Sequence, residues 1–306
     1  MESLVEFTIS SQNRGDRIDK VITSHCEEYS RSFVQKLVKD GKVIVNGKTV
    51  KSNYRVEEQD KVSFVIPEPV GLDILPEPIE LDILYEDEDI IVINKGKGMV
   101  VHPAAGHYSG TIVNGLLYHC KNQLSGINGI MRPGIVHRID KNTTGAIVAC
   151  KNDKAHRFIA EQLKEHSITR KYRAIVWNTF KDSNGTIDAP IGRHPTDRKK
   201  MAINERNGKH AITHYRVLDN LDGKFAHIEC QLETGRTHQI RVHMASIHHP
   251  LLGDDVYGSG KNTYKLEGQT LHAMVLGFIH PTTKKYIEFE APLPAYYLEL
   301  LGRLQK

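Results

Sequence analysis

The 306-residue chain predicts an α+β protein in two parts: a small α+β unit, then a larger domain with a mostly antiparallel mixed sheet and helices packed on it. Three observations carry this. A proline-rich stretch, Pro67-Glu68-Pro69-Val70-Gly71 through Pro76-Glu77-Pro78, can continue neither a helix nor a central strand, so it separates two segments. Beyond it, short apolar runs divided by turn residues read as strands that hairpin in succession. Between those runs stand stretches of helical spacing that a sheet can cover.

The first unit spans residues 14–66. Residues 16–27 set Ile18, Val21 and Ile22 at helical spacing. A second helix follows, with Phe33, Val34, Leu37 and Val38 as its apolar face, Ser32 and Gln35 as a capping box, and Gly41 as its stop. Val43-Ile44-Val45-Asn46-Gly47-Lys48-Thr49-Val50 is a hairpin, because Asn-Gly supplies the positive-φ pair of a tight turn. Lys61–Ile66 alternates like a strand. Between residues 14 and 61, eleven Lys and Arg stand against eight Asp and Glu, a net of +3. Arg31, Lys36 and Lys39 lie off the apolar face of the second helix, and Lys42 follows. Such a surface suits phosphates, although a basic helix face by itself is usually just solvated.

Residues 67–80 read as a linker or an extended crossover. The second domain covers residues 81–306. Its strands are expected at Leu81–Tyr85, Ile90–Asn94, Ala146–Cys150, Tyr172–Trp177, Thr213–Leu218, Ala226–Leu232, Thr270–Phe278 and Lys285–Phe289. Its helices are expected at Thr111–Cys120, Lys154–Glu165 and Thr237–Ala245. Asp222-Gly223 and Pro281-Thr282-Thr283 are turns between paired strands.

Composition narrows the function classes. The net charge of +4 is too mild to prove nucleic-acid binding and is compatible with it where the basic residues cluster. Cys26, Cys120, Cys150 and Cys230 form no CxxC pair, so neither a zinc knuckle nor a disulfide framework is suggested, and isolated thiols fit a reducing compartment. No signal peptide and no apolar run near membrane length is visible, and the expected location is the cytoplasm. Seventeen His tempt one toward a metal. Yet His238, His243, His248 and His249 contain no HExxH pattern and Pro250 breaks the chain after them, so no metal is expected.

The most informative stretch is His137-Arg138-Ile139-Asp140-Lys141-Asn142-Thr143-Thr144-Gly145. Apolar runs flank it, Gly134-Ile135-Val136 before and Ala146–Cys150 after, and both read as buried strands. A carboxylate and a guanidinium would then sit on a rigid platform at the mouth of a sheet. In Lys171-Tyr172-Arg173-Ala174-Ile175-Val176 a Tyr opens an apolar strand. Leu232-Glu233-Thr234-Gly235-Arg236-Thr237-His238-Gln239-Ile240-Arg241-Val242-His243 runs from a strand through a Gly turn into a helix, with Arg241 one turn in. Pro250-Leu251-Leu252-Gly253-Asp254 follows as a loop. Singly, each has a mundane account: a turn-capping ion pair, a core Tyr, a surface Arg.

Together, in this order, the motifs closely resemble those of the RluA/RluD family of RNA pseudouridine synthases, over nearly the whole chain past residue 81. The resemblance implies the pseudouridine synthase fold, with Asp140 as catalytic aspartate, Tyr172 as active-site tyrosine and Arg241 as the arginine that pairs with the aspartate. Ile139 replaces a usual Leu, and Asn142-Thr143-Thr144 replaces Asp-Thr-Ser; neither departure touches those three groups. The first unit resembles the S-four-type RNA-binding domain, through Arg17-Ile18-Asp19-Lys20, Ser30-Arg31-Ser32, Ile44-Val45-Asn46-Gly47 and Gln59-Asp60. That implies a structured-RNA partner, met by Arg17, Arg31, Lys36 and Lys39.

The implied reaction breaks the N-glycosidic bond of a uridine, turns the base, and joins its C5 to the ribose. It needs no redox change, group donor or energy source, so no cofactor is expected. A lone carboxylate can attack the sugar, attack the base, or act as a base that starts an elimination; the sequence leaves all three open. The carboxylate has to stay ionised in a cleft poor in water, which an opposed guanidinium favours. Tyr172 offers a ring for a base drawn from the RNA stack. Arg138, Lys141 and Arg236 are expected against RNA, with Arg170, Lys171, Arg173, Arg193, Arg198, Lys199 and Lys200 as further cleft candidates. The expected substrate is folded ribosomal RNA of the large subunit. Transfer RNA, a catalytically silent ribosome-assembly factor and a base-releasing N-glycosidase are the competing readings. Nothing in the sequence demands more than a monomer.

Overall fold

The structure is a computed structural model and describes residues 3–26, 31–66, 74–103, 107–121, 123–127, 129, 132–197, 200–258, 260 and 264–305. The chain divides into two compact units, Met1–Gly71 and Leu72–Lys306. No helix among the described residues is long and apolar enough to cross a membrane.

The first unit contains β1 (Ser3–Thr8), α1 (Ile18–His25), α2 (Arg31–Lys39), β2 (Val43–Val45), β3 (Lys48–Thr49) and β4 (Lys61–Ile66). The strands form one antiparallel sheet in the order β1-β4-β2-β3. The helices press Ile18, Ile22, Val34 and Leu37 onto Val43, Val62 and Phe64. Asn46 and Gly47, at φ 51° and 77°, make the tight turn expected of Asn-Gly. β1 lies ahead of the expected unit; its legible trace is the alternation of Val5 and Phe7, which turn toward the core. Ser32 does not hold the cap position expected for it. α2 begins at Arg31, which puts Ser32 inside the helix, and Gln35 instead donates to the buried Asp19 at 2.6 Å.

The second unit begins its described part at residue 74, and residues 67–73 of the proline-rich stretch lie outside the described residues. Its elements are β5 (Ile83–Glu86), β6 (Ile90–Lys95), α3 (Ile112–Cys120), β7 (Thr144–Cys150), α4 (Asp153–Lys164), β8 (Thr169–Trp177), β9 (Asn184–Asp188), β10 (Ile191–Arg193), β11 (Met201–Ile203), β12 (Ile212–Leu221), β13 (Phe225–Leu232), α5 (Gln239–Ser246), β14 (Leu271–Ile279), β15 (Tyr286–Glu290) and α6 (Ala295–Leu304). One large sheet runs β5-β6-β7-β14-β8-β13-β12-β9, with β15 paired to β14. Among its described pairings only β7 with β14 is parallel, so the sheet is mixed and mostly antiparallel.

Strand alternation sends side chains to both faces, and both are covered. Ile147 and Ala149 of β7 and Tyr172 and Ala174 of β8 share a core with Ile112 and Leu116 of α3 and Ile240 and Met244 of α5. On the opposite face Val148 and Phe278 meet Ala155 and Ile159 of α4, and Ile175 meets Tyr297 and Leu300 of α6. Helix α6 follows the last expected strand, and its helical repeat of Tyr297, Leu300, Leu301 and Leu304 is its trace in the sequence. Residues 74–80 are tied to α3, where Asn114 donates to the Leu75 carbonyl (2.9 Å) and accepts from the Glu77 amide (3.0 Å).

The parallel join is tight. Gly145 has φ 107°, and a Cβ there would run into the backbone of Ala273 on β14. Gly145→Ala adds left-handed strain to a backbone clash, so we expect it to cost about 2–4 kcal/mol of stability in urea unfolding.

Candidate active site

The loop bearing Asp140 is fixed from several sides. Residues 134–136 were expected as a strand, but only a single bridge, Ile135 with Ala149, forms. The reason is a side chain in the ladder: Cys150 N–H donates to the Gly134 carbonyl (2.8 Å), whereas Val148 N–H donates to Nε2 of His137 (3.0 Å). An imidazole stands where the next strand carbonyl would be. The chain then turns at Asp140, whose carbonyl accepts from Thr143 N–H at 3.0 Å. From below, the buried Lys95 gives its three protons to the carbonyls of Gly96, Met99 and Lys141, at 2.8, 2.9 and 2.9 Å. Burial draws its pKa down to about 7, against the pull of Asp140.

Arg241 reaches Asp140 from α5. Ahead of that helix His238 takes the left-handed conformation (φ 56°). Buried Gln239 locks the turn, accepting from Arg236 N–H and the Thr234 hydroxyl and donating to the Ile212 carbonyl, at 2.8–2.9 Å. The Arg241 guanidinium then divides itself. Nε and Nη2 grip both oxygens of Asp254 (2.7 and 2.9 Å), and Nη1 donates to Oδ2 of Asp140 at 3.1 Å. Asp254 also accepts from the amides of Val256 and Tyr257. Burial alone would raise the Asp254 carboxyl; the Arg241 bonds and these amides hold it below its usual value. Arg241 is likewise penalised by burial, and the two carboxylates more than reverse this.

Asp140 thus keeps Oδ1 for other contacts. Nε2 of His238 lies 3.8 Å from it, and His238 Nδ1 is bonded to the Tyr257 hydroxyl at 2.8 Å. The carboxylate opens into a pocket of about 360 Å³ with Tyr172, Leu232, Ile240 and Leu271 as apolar walls and Arg138 and Arg236 at its rim. Burial pushes the Tyr172 phenol above its usual value, so it is neutral at physiological pH.

The pocket therefore joins a carboxylate held at one oxygen, the arginine that holds it and a neutral tyrosine. Comparison with known proteins shows the family. Residues 89–246 match the family model described as RNA pseudouridylate synthase. The chain belongs to that family. Residues 16–62 of this pseudouridine synthase match the S4 domain. It is 54% identical over 302 residues to YlyB of Bacillus subtilis (strain 168), named an uncharacterised RNA pseudouridine synthase, covering 99% of this chain and 98% of that protein. It is 45% identical over 299 residues to the ribosomal large subunit pseudouridine synthase D of Zymomonas mobilis, covering 94% of each. Among solved structures, human RNA pseudouridylate synthase domain containing 4 matches with a TM-score of 0.57 and 26% identity, over 73% of this chain and 93% of that one.

The other expected residues are placed as follows. Arg138 and Lys141 are exposed beside Asp140, and Arg236 is half-buried with Nε on the His210 carbonyl (2.9 Å). Lys171 and Arg173 alternate onto the face of β8 away from Tyr172, and Arg173 pairs with Glu229 at 2.8 Å, so they do not line the pocket with it. Arg170 stays on the Tyr172 face. Arg198 and Lys199 lie outside the described residues. In the S4 unit Lys36 and Lys39 are exposed, while Arg17 and Arg31 both bond Asp19, whose carboxyl is lowered to about 2. Burial by itself would raise that carboxyl, and the bonds from Gln35 and the two arginines outweigh it. Sequence reasoning named no role for Asp254, Lys95 or His238. Lys95 did leave a trace, as a charge closing the expected strand Ile90–Asn94.

Several buried histidines serve as hydrogen-bonding groups whose charged form burial disfavours. Among the described residues no three His, Cys, Asp or Glu gather as a metal would require. His272 meets the Thr144 hydroxyl (2.8 Å) and His243 the Thr213 hydroxyl (2.9 Å). Burial lowers the pKa of both, lowers His102 to about 4, and takes His137 from 6.5 to about 3. A folded-state pKa below the unfolded one means the unfolded chain binds the extra proton. The stability is therefore whole above pH 6.5 and drains away as pH falls from there toward about 3. His137→Gln keeps an acceptor for Val148 without a titrating group. Between pH 7.5 and 5 it should lose about 2 kcal/mol less stability than the wild type in urea unfolding.

Proposed function

We propose that this enzyme isomerises uridines of folded large-subunit ribosomal RNA, with Asp140 as the catalytic carboxylate acting on a flipped-out uridine. The observation that carries the reading is the Asp140–Arg241 pair at 3.1 Å, opening beside Tyr172 into a pocket. The relative named for the large ribosomal subunit and the S4 match support ribosomal RNA as the substrate.

The uracil stacks on the Tyr172 ring, which is already fixed in the wall and loses little freedom on binding. Asp140 is presented with one oxygen bound by Arg241 and the other turned to the substrate. The glycosidic C1′–N1 bond breaks, the base rotates, and C5 bonds to C1′; the proton that C5 gives up balances the one N1 gains. Holding the detached uracil is a task of positioning, which the fixed apolar walls of the pocket perform. Arg138, Lys141 and Arg236 face the surrounding RNA backbone, while the exposed Lys36 and Lys39 of the S4 unit, with Arg17 and Arg31, supply affinity for structured RNA.

Asp140→Asn should lower pseudouridine formation by at least about 10³-fold. Its RNA affinity should stay within about threefold of wild type, because phosphate contacts dominate binding. Turnover of a ribosomal RNA fragment, read by pseudouridine mapping beside a filter-binding titration, checks both, and wild-type turnover would remove Asp140 from the mechanism. Asp254→Asn weakens the hold on Arg241 without touching the substrate. We expect kcat to fall about tenfold to a hundredfold with KM little changed, and Arg241→Met to come close to the loss in Asp140→Asn.

A further inference from the structure

A second guanidinium stands on the Tyr172 face of β8. Arg170 lies two residues before Tyr172, and alternate strand residues point the same way. Its exposure is 7%, close to the 5% of Arg241, but its company is entirely different. Arg241 is held between two carboxylates. Arg170 has no ion pair among the described residues. Its one side-chain hydrogen bond there runs from Nη2 to the Glu233 carbonyl at 3.0 Å, and its buried Nε meets no acceptor. Burial drags its pKa below the usual arginine value, and the charge of Arg236 adds to this. A buried cation with no counter-charge is unfavourable unless an anion arrives from outside.

The surroundings say where such an anion would enter. Arg170 borders a groove of about 1150 Å³ shared with Arg138, Lys164, His166 and Arg236, and no carboxylate lines it. The groove and the pocket at Asp140 have Arg138, Tyr172, Leu232 and Arg236 in common, so the two form one cleft. The exposed Gly235 is part of this design: a Cβ there would meet Nη1 of Arg170, so bare backbone lets the guanidinium rest against the turn that carries Arg236. A guanidinium spreads its charge over the whole plane, so an oxyanion reaching its groove side compensates it.

We propose that Arg170 binds a backbone phosphate of the substrate RNA, adjacent to the flipped uridine, and so fixes the strand's register at the pocket. This rests on the reading of Asp140 and Tyr172 as the seat of the reacting uridine. The phosphate supplies the counter-charge that the fold leaves out. In the free enzyme the guanidinium is preorganised, so little ordering remains when RNA binds.

The test uses full-length enzyme and a ribosomal RNA stem-loop around a target uridine. Arg170→Met should weaken binding about tenfold and make the dependence of log Kd on log salt shallower by roughly 0.7 to 0.9. A neutral methylphosphonate in place of one phosphate flanking the uridine should weaken wild-type binding by a similar factor and the variant's hardly further. Arg170→Lys should recover most of the affinity. The melting temperature of Arg170→Met should equal or exceed that of wild type, which a merely structural arginine would not allow. Wild-type affinity and salt slope in the variant, or additive losses at every flanking phosphate, would overturn the proposal. If Arg170→Met does not fold, the phosphate scan on wild type decides: no position costing more than about twofold is fatal. Conversion of the stem-loop is read in parallel and judges the proposed function alone, because binding reports on Arg170 with or without turnover.

Discussion

The site depends on one shared guanidinium. Arg241 is buried, and a lone cation there would be unfavourable. Asp254 takes it in a two-pronged grip and is itself oriented by two backbone amides. The arginine is therefore placed before it meets Asp140, and its last donor falls on a single oxygen of that residue. Had Arg241 faced Asp140 with both prongs, the carboxylate would be fully engaged. Because Asp254 takes that share, Asp140 is anchored at one oxygen and open at the other. Fixity and availability are thereby assigned to two different acids.

The same division holds on the other side of the Asp140 loop. Lys95 reaches the loop through the Lys141 carbonyl and hydrogen-bonds none of its side chains. The His137 ring substitutes for a strand carbonyl, so the chain leaves the sheet just where Arg138 and Asp140 must project from it. Beneath both lies the narrow parallel join of β7 to β14, possible because Gly145 carries no side chain. The large sheet covered on both faces gives these local devices a stiff base.

Much of this was legible in the sequence, and the remainder was hidden for definable reasons. Period-two apolar runs and Asn46-Gly47 or Asp222-Gly223 turns are local, so most strands and hairpins could be placed. Asp140, Tyr172 and Arg241 stood in ordered motifs. Asp254 did not stand out, because an acid in a loop acquires meaning only when a guanidinium from α5 is folded onto it. His137 misled for a related reason: the run after Gly134 has strand composition, but a side chain displaces its ladder. Residues of β8 divided by parity, with Arg170 and Tyr172 on the site's face and Lys171 and Arg173 behind, which a list of basic residues cannot express. The terminal elements β1 and α6 carried readable periodicity; they stood outside the segments where the motifs drew attention.

The order of the strands bears on how the enzyme comes into being. β7 ends at Cys150 yet takes its parallel neighbour from a segment beginning at Leu271. Closing so long a loop is slow, and a chain emerging from its N-terminus cannot do it until β14 has been made. The S4 unit has its own core within the first 71 residues and depends on no later strand. During synthesis, then, the S4 unit can mature while the site around Asp140 still lacks β14 and Asp254. The pocket at Asp140 is withheld until β14 has been made, so the S4 unit takes shape well before it.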